Sequence, residues 1–395
     1  MNTTKHLTLT KRIYMKMVKI CTYTIGQVFM LLPLKKDKII FDNFAGKGYA
    51  GNPRYIADEF LSRNLNMDLV WLINDTTQSL PSGIRKVKYG SLQALYEYAT
   101  SKVIIDNIRN SHLMKKKKGQ VYLQTWHGSK PLKYIEKDAE NKLSRKYLRA
   151  AIYDGKVTDG IIVDSEMQEN VLKRTFDLNK DVEFLRYGLP TNDFLIKNKN
   201  NSKLNEKIKK DLNIERNIFT ILYAPTFRDN GDTSCYITDY AELIGKFETK
   251  LKRKCIILVR MHPNVKANDI NINYNNKLKN VSDYPDTQEL VLASDCVISD
   301  YSSIIFDFLL LEKIVFLYSV DLSEYENQRG LSEQYYDLPF PRGNTLEELY
   351  KYIETYNEKE CLKKQKEYLN KCVDYNDGNS SKRTVDWILK KIINN

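Results

Sequence analysis

The sequence predicts an α/β protein of two domains, each a parallel sheet covered by helices. Three observations lead there. The chain has 395 residues, and at roughly 100–200 residues per domain that length favours two. Short apolar runs alternate with helical patterns from Lys38 onward, the mark of βα units and a parallel sheet. Polar motifs recur where the apolar runs stop, the edge at which open α/β sheets bind ligands.

Composition narrows the classes. A hydrophobic fraction of 42% supports true cores and excludes a disordered chain. With 62 Lys and Arg against 50 Asp and Glu, the net charge is +12. That balance suits nucleic acid, anionic lipid or a phosphorylated substrate, and equally a solvated lysine-rich surface. Cys21, Cys235, Cys255, Cys296, Cys361 and Cys372 form no C-x-x-C and no zinc spacing. They read as reduced and mostly buried thiols of a cytosolic protein. Near the amino end, Lys5, Lys11, Arg12, Lys16 and Lys19 precede the uncharged run Ile20–Leu34. That run is shorter than the ~20 residues that span a bilayer, and no cleavage pattern follows it. Residues 1–36 therefore read as a basic amphipathic segment for an anionic membrane surface. A helix packed on its own domain is the alternative.

The first domain is assigned to 37–196. Its first strand, Lys38–Phe44, leads into GKGYAG, where Gly46, Gly48 and Gly51 match G-x-G-x-x-G literally, and a strand Asp68–Asn74 follows. The dinucleotide fingerprint wants its third glycine inside the opening helix. Here Asn52 is the better N-cap and Pro53 the better first helical residue. The stretch reads instead as a flexible loop at the mouth of a cleft, and no nicotinamide is expected. A helix (Ser91–Ala99), a strand (Val103–Asp106) and a basic stretch (Arg109–Lys118) precede VYLQTWHGSKPL, Val121–Leu132. That run ends on His127, with a turn at Gly128 and then a helix with Pro131 in its first turn. His127 is a candidate general base at a strand's carboxyl end, and a turn-capping histidine is the structural alternative. A helical region (Tyr134–Ile152), strand Gly160–Val163, helix Glu166–Phe176 and strand Val182–Arg186 complete the series before YGLPTNDF. Residues 197–216, rich in Lys and Asn, are the candidate linker.

The second domain is assigned to 217–395, with its carboxyl-terminal helices crossing back. Strand Phe219–Ala224 runs into Pro225-Thr226-Phe227-Arg228, strand Cys255–Arg260 into Met261-His262-Pro263, and strand Cys296–Ser299 into Asp300-Tyr301-Ser302-Ser303. Ser302 and Ser303 open a helix, Ile304–Leu311, whose backbone N–H groups and dipole favour an anion. Ordinary capping explains the same serines. Arg228, Arg260 and His262 converge on the same sheet edge, and arginine suits bidentate phosphate contact. Strand Ile314–Leu317 and a helical tail from Thr345, broken at Asp377–Ser381, finish the chain. No D-x-D, Walker loop or G-x-S-x-G occurs, so no metal site or cofactor is assigned. The chemistry reads as a base with an electrostatic clamp rather than an acyl-enzyme.

Taken together, QTWHGSKPLK, YGLPTNDF, YAPTFRD, VRMHPN, SDYSSIIFDFL, NQRG and DGNSSKR, with the early FDNFAGKGYAGNPRYIADEF, resemble the CDP-glycerol glycerophosphotransferases of wall teichoic acid synthesis. The resemblance covers most of Lys38–Arg383. It implies the GT-B arrangement, two Rossmann-like domains facing across a cleft, with the donor on the second. It implies CDP-glycerol or a related CDP-polyol as donor and an undecaprenyl-diphosphate-linked glycan as acceptor. Members resemble peripheral enzymes of the cytoplasmic membrane face. By the same resemblance His127 is the base, and His262, Ser302, Ser303 and Arg329 bind the diphosphate. Thr226, Arg228, Arg260 and Asp300 are further donor contacts, and the Gly46–Gly51 loop lies on the acceptor side. Two departures stand out: Phe227 where the family usually has Trp, and Leu331-Ser332 before the aromatic pair Tyr335-Tyr336. A nucleotide-sugar glycosyltransferase on the same fold is the alternative. A nucleic-acid binder would explain the charge but not motifs at successive strand ends, and no nucleic acid is expected.

Overall fold

The computed structural model describes residues 24–109, 112–228, 230–262, 265 and 270–394. Most of the predicted amino-terminal segment lies outside them. Among the described residues no helix is long and apolar enough to cross a membrane.

Two parallel sheets form the molecule. The first holds β1 (Lys35–Phe41), β2 (Asp68–Ile73), β3 (Ile84–Lys88), β4 (Ser101–Asp106), β5 (Val121–Gln124), β6 (Gly160–Val163) and β7 (Glu183–Arg186), in the order β3-β2-β1-β4-β5-β6-β7. The second holds β8 (Phe219–Tyr223), β9 (Cys255–Val259), β10 (Leu278–Asn280), β11 (Cys296–Ser299), β12 (Ile314–Tyr318) and β13 (Arg342–Gly343), in the order β10-β9-β8-β11-β12-β13. Sequences such as GIIV, CIILV and CVIS are buried along their whole length. Helices cover both faces of such a strand, so apolar residues run without alternation. The strands missed by the sequence reading are edges or near-edges. β3 (IRKVK) buries only Val87, and β10 and β13 hold three and two residues.

Each sheet reverses its winding once, between β1 and β4 in the first and between β8 and β11 in the second. Loops leave such a pair in opposite directions and open a crevice at the carboxyl edge. The Thr226 and Asp300 motifs follow β8 and β11 directly, so they flank that crevice. His127 lies just beyond β5, next to β4.

Three local expectations fail for identifiable reasons. First, Gly51 is the first residue of the helix Gly51–Ser62, and Asn52 does not cap it. The Asn52 carboxamide donates instead to the carbonyls of Trp126 (2.9 Å) and Thr125 (3.3 Å). Second, no helix starts at Pro131. Lys133 pairs with Leu331 of the second domain as an antiparallel bridge. The Tyr134 N–H donates to Gly330 O, and the Ser332 N–H to Leu132 O. A short 3-10 helix, Glu136–Lys142, and the helix Arg145–Val157 come only afterwards. Third, the loop after β1 is knitted rather than flexible. Gly46 N–H donates to Asp42, Asn74 N–H to Gly46 O, and Phe44 N–H to the Asn107 side chain.

Residues 197–216 contain the helix Ser202–Asp211, whose Ile208 is buried in the second-domain core. The last helix, Ser380–Asn394, returns to the first domain. Its Val385, Trp387 and Ile388 join the core beneath β1, β2 and β4. Trp387 lies against Gly160, where a Cβ would come within 2.7 Å of the indole. The described cysteines are all free, and only Cys361 among them is less than fully buried. Ile388→Ala should empty a fully buried site and lower stability by about 2–5 kcal/mol. A fall in the urea midpoint, with the first domain unfolding earlier, is the expected result.

Candidate active site

A cavity of about 460 Å³ lies between the two domains. Trp126, His127, Gly128, Lys133, Glu136 and Tyr147 wall it on the first-domain side. Thr226, Phe227, Arg260, His262, Ser302, Ser303 and Arg329 face them from the second. Seven of the candidate residues thus share one cavity: His127, Thr226, Arg260, His262, Ser302, Ser303 and Arg329.

His127 stands on a turn whose preceding residue, Trp126, has φ +51. That left-handed conformation is costly for a bulky residue, and the Asn52 bond to Trp126 O helps hold it. The imidazole packs 4.0 Å from the Trp126 ring and 5.0 Å from Phe44 between centroids. Its Nδ1–H donates to the Asn107 carbonyl at 2.7 Å. A carbonyl only accepts, so Nε2 keeps its lone pair. The ring opens onto the cavity, but protein surrounds it otherwise. Poor solvation of the imidazolium pulls the pKa from 6.5 to about 4, and the charges of Lys133 and His262 act the same way. The Asn107 bond opposes them. His127 is therefore neutral near pH 7.

On the opposite wall, His262 stacks on Phe227 at 5.5 Å between centroids, and its backbone N–H donates to the Tyr236 hydroxyl. Phe227 thus does the work of an aromatic shelf, as a Trp would. Arg260 is held by the carbonyls of Val281 and Tyr284, both at 3.0 Å. Burial lowers its pKa, with the charges of Asp286 and Asp283 opposing. Among the described residues no carboxylate lies within ion-pair distance of it. The Thr226 hydroxyl is buried without a hydrogen-bond partner. Ser302 Oγ accepts from Ile304 N–H at 3.4 Å, whereas Ser303 makes no side-chain cap. The two domains approach closely here: a Cβ on Gly128 would lie 3.8 Å from Ser303 Oγ.

Five candidates belong elsewhere. Arg228 does not line the cavity. Its guanidinium meets Asp300 at 2.8 Å and Asp321 at 2.6 Å. It also lies 5.0 Å from the rings of both Tyr301 and Tyr325, which stack on each other at 3.9 Å. Asp300 is fully buried and accepts from the N–H groups of Thr226 and Tyr301. With its charge already neutralised, Arg228 has no fork to offer a phosphate. It ties the loop after β8 to the loop after β11 and to the start of the helix Leu322–Gln328, which ends at Arg329. Nor do Gly46, Gly48 or Gly51 line the cavity. Their loop bears on the site through Phe44, whose ring packs against His127.

Other residues escaped the sequence reading. Glu136 lines the cavity with φ +50. Its carboxylate accepts from Arg109 at 2.9 Å and from the Tyr147 hydroxyl at 2.5 Å. Burial raises its pKa, while the charges of Arg109 and Arg329 hold it down. A lone glutamate in a lysine-rich stretch carries no signal of this. Gly330 has φ +85, and a Cβ there would lie 2.3 Å from the Tyr134 ring. Only glycine lets the strap beside Arg329 close on the first domain. Among the described residues no group of three or more His, Cys, Asp or Glu side chains is placed to hold a metal ion.

Two facing parallel sheets, with imidazoles, arginines and hydroxyls gathered between their carboxyl edges, define a GT-B-like transferase. Residues 24–390 match the family model for CDP-Glycerol:Poly(glycerophosphate) glycerophosphotransferase, and the chain belongs to that family. Its class is therefore that of the CDP-glycerol glycerophosphotransferases. It is 32% identical over 381 residues to a teichoic acid poly(glycerol phosphate) polymerase of Bacillus spizizenii, covering 92% of this chain and 94% of that one. It is 30% identical over 319 residues to the Staphylococcus epidermidis protein of the same description, covering 78% of this chain but only 44% of that longer one. Among solved structures, the wall teichoic acid polymerase TagF superposes with a TM-score of 0.84 at 27% identity, covering 98% of this chain and 97% of that one.

Arg228→Met should strand the Asp300 and Asp321 carboxylates. Breaking a buried pair from one side costs about 3–5 kcal/mol. Chemical denaturation is expected to register a loss of that order.

Proposed function

We propose that this chain transfers glycerol phosphate, or a related polyol phosphate, from a CDP-polyol to a hydroxyl of a membrane-lipid-linked glycan or polymer. The observation that carries the reading is one cavity with a neutral imidazole on one wall and a group of imidazole, guanidinium and hydroxyl donors on the other. CDP-glycerol lies on the second domain. His262, Arg260, Arg329, Ser302, Ser303 and the unpartnered Thr226 hydroxyl contact its diphosphate. His127 takes the proton of the acceptor hydroxyl at Nε2. The acceptor oxygen bonds to the phosphorus that bears glycerol, and the bond from that phosphorus to the CMP oxygen breaks. The cationic wall balances negative charge as CMP departs. This is positioning and electrostatics, with the chain forming no covalent intermediate.

The acceptor is an undecaprenyl-diphosphate-linked glycan, met at the cytoplasmic membrane face. Supporting this, the start of the described chain exposes Ile25, Val28 and Leu31, the last to 85%. It lies beside the run Lys115–Lys118, where the Lys117 ammonium donates to Leu32 O. Apolar groups set among lysines suit an anionic bilayer surface.

Purified protein offered CDP-glycerol, CDP-ribitol and UDP-sugars with a lipid-linked disaccharide should release CMP from one CDP-polyol. His127→Ala should lower that rate by about 10²–10⁴-fold. UDP release, or an unaffected His127→Ala enzyme, would overturn the reading.

The pH profile gives a second check. A base works unprotonated, and burial holds the His127 pKa near 4. As pH falls, kcat/KM, which reports the free enzyme, should persist through 6.5. It should fall only towards pH 4. An acid limb at pH 6.5 that disappears with His127 would contradict the electrostatics described.

A further inference from the structure

We propose that Asn107 is the positioning residue of His127: its carboxamide locks the loop whose carbonyl fixes the imidazole tautomer and aims Nε2 into the cavity. This rests on the reading of His127 as the base. The contact to the ring is made by the Asn107 main-chain carbonyl, which any residue type could supply. What distinguishes Asn107 is how that carbonyl is held. The side chain is fully buried, and both ends of its amide are used. Nδ2 donates to Asn43 Oδ1 at 2.7 Å, and Oδ1 accepts the Phe44 N–H at 2.9 Å. Asn43 in turn donates to Gly48 O at 3.1 Å. Two asparagines therefore join the loops after β1 and β4 across the first sheet's crevice, directly behind His127.

The neighbourhood is built around this pair. A Cβ on Gly51 would fall 2.8 Å from Asn43 Oδ1 and 3.1 Å from Asn107 Nδ2. The third glycine of the G-x-G-x-x-G match thus makes room for an amide pair, not for a pyrophosphate. Phe44, whose N–H Asn107 holds, carries the ring that packs on His127. Phe44 itself sits at φ +48, a conformation that needs such anchoring. One residue thus fixes the imidazole by its main-chain carbonyl and, through its carboxamide, by the ring of its aromatic neighbour. A carboxylate at Nδ1 would also select this tautomer, but it would favour the charged ring. A carbonyl selects it and leaves the base neutral.

The test uses the full chain with 15N-labelled histidine, and His127→Gln assigns the His127 signals. Long-range 1H–15N spectra of the wild type should show His127 as the Nδ1–H tautomer. Asn107→Ala should shift it to a mixture. The same variant should lower kcat for CMP release from CDP-glycerol by about 10–100-fold, the scale of a misdirected catalytic group. KM for CDP-glycerol should stay within about twofold. Asn43→Ala, which removes the partner amide, should give the same tautomer change with a smaller loss. It carries the test if Asn107→Ala fails to fold. An unchanged tautomer and kcat in the folded variants, beside an inactive His127→Ala, would overturn the positioning role and leave the base standing. An active His127→Ala would instead overturn the base, and the spectra alone would then decide whether Asn107 orients the ring.

Discussion

The pairing of Lys133 with Leu331 is the contact on which the cavity depends. Parallel sheets present their carboxyl edges to a ligand, but each edge alone is an open crevice. Here the chain leaves β5, turns at His127 and runs straight across to the second domain, where it pairs as an antiparallel bridge. Gly330 makes room for Tyr134 in that pairing, and Arg329 sits next to it. The same few residues therefore close the cleft and deliver an imidazole from one side and a guanidinium from the other. On another side of the interface Arg54 and Tyr55 both donate to Asp286. The two domains are thus tied at separate points, with the cavity between.

Charge is distributed in this cavity by a simple rule. Cations that organise the fold are neutralised, whereas Arg260, which faces the cavity, has no carboxylate within ion-pair distance among the described residues. Arg228 lies between two aspartates and over two tyrosines, and Lys130 ends between Asp164 and Asp374. Arg260, by contrast, is held through carbonyls, which orient a guanidinium without cancelling its charge. The resulting positive field also bears on His127, which burial has already made reluctant to protonate. A neutral imidazole among cations follows from the arrangement itself.

Strands such as GIIV and CVIS were legible because burial on both faces leaves no polar interruption. β3, β10 and β13 were not, since short or charged edge strands lack that run. The strand-end motifs bring His127, His262, Ser302 and Ser303 beside one cavity, because strand ends in a parallel sheet must share an edge. The errors came where a side chain answers to a distant partner. Arg228 looks like a phosphate ligand until Asp321, far along the chain, takes its fork. Pro131 looks like a helix start until Lys130 is buried and Lys133 pairs across the cleft. Asn52 looks like an N-cap, but the strained carbonyl of Trp126 claims its amide. Asn107 gave no sign at all, because its contact with His127 is made by the backbone.

A base with a pKa near 4 is weak for chemistry at neutral pH, where a matched pKa is most effective. In the proposed reaction the donor supplies the correction. A diphosphate settling against His262, Arg260 and Arg329 offsets the positive charge that disfavours imidazolium. It also places its own negative oxygens across from Nε2. Both changes raise the proton affinity of His127 only once the donor is bound. The ring then gains basicity at the moment an acceptor hydroxyl can use it. Before the donor binds, the ring stays neutral, with its proton on Nδ1 and the Nε2 lone pair open. Fixing Nδ1 with a carbonyl suits that behaviour, because a permanent carboxylate would make the ring basic whether or not a donor were present.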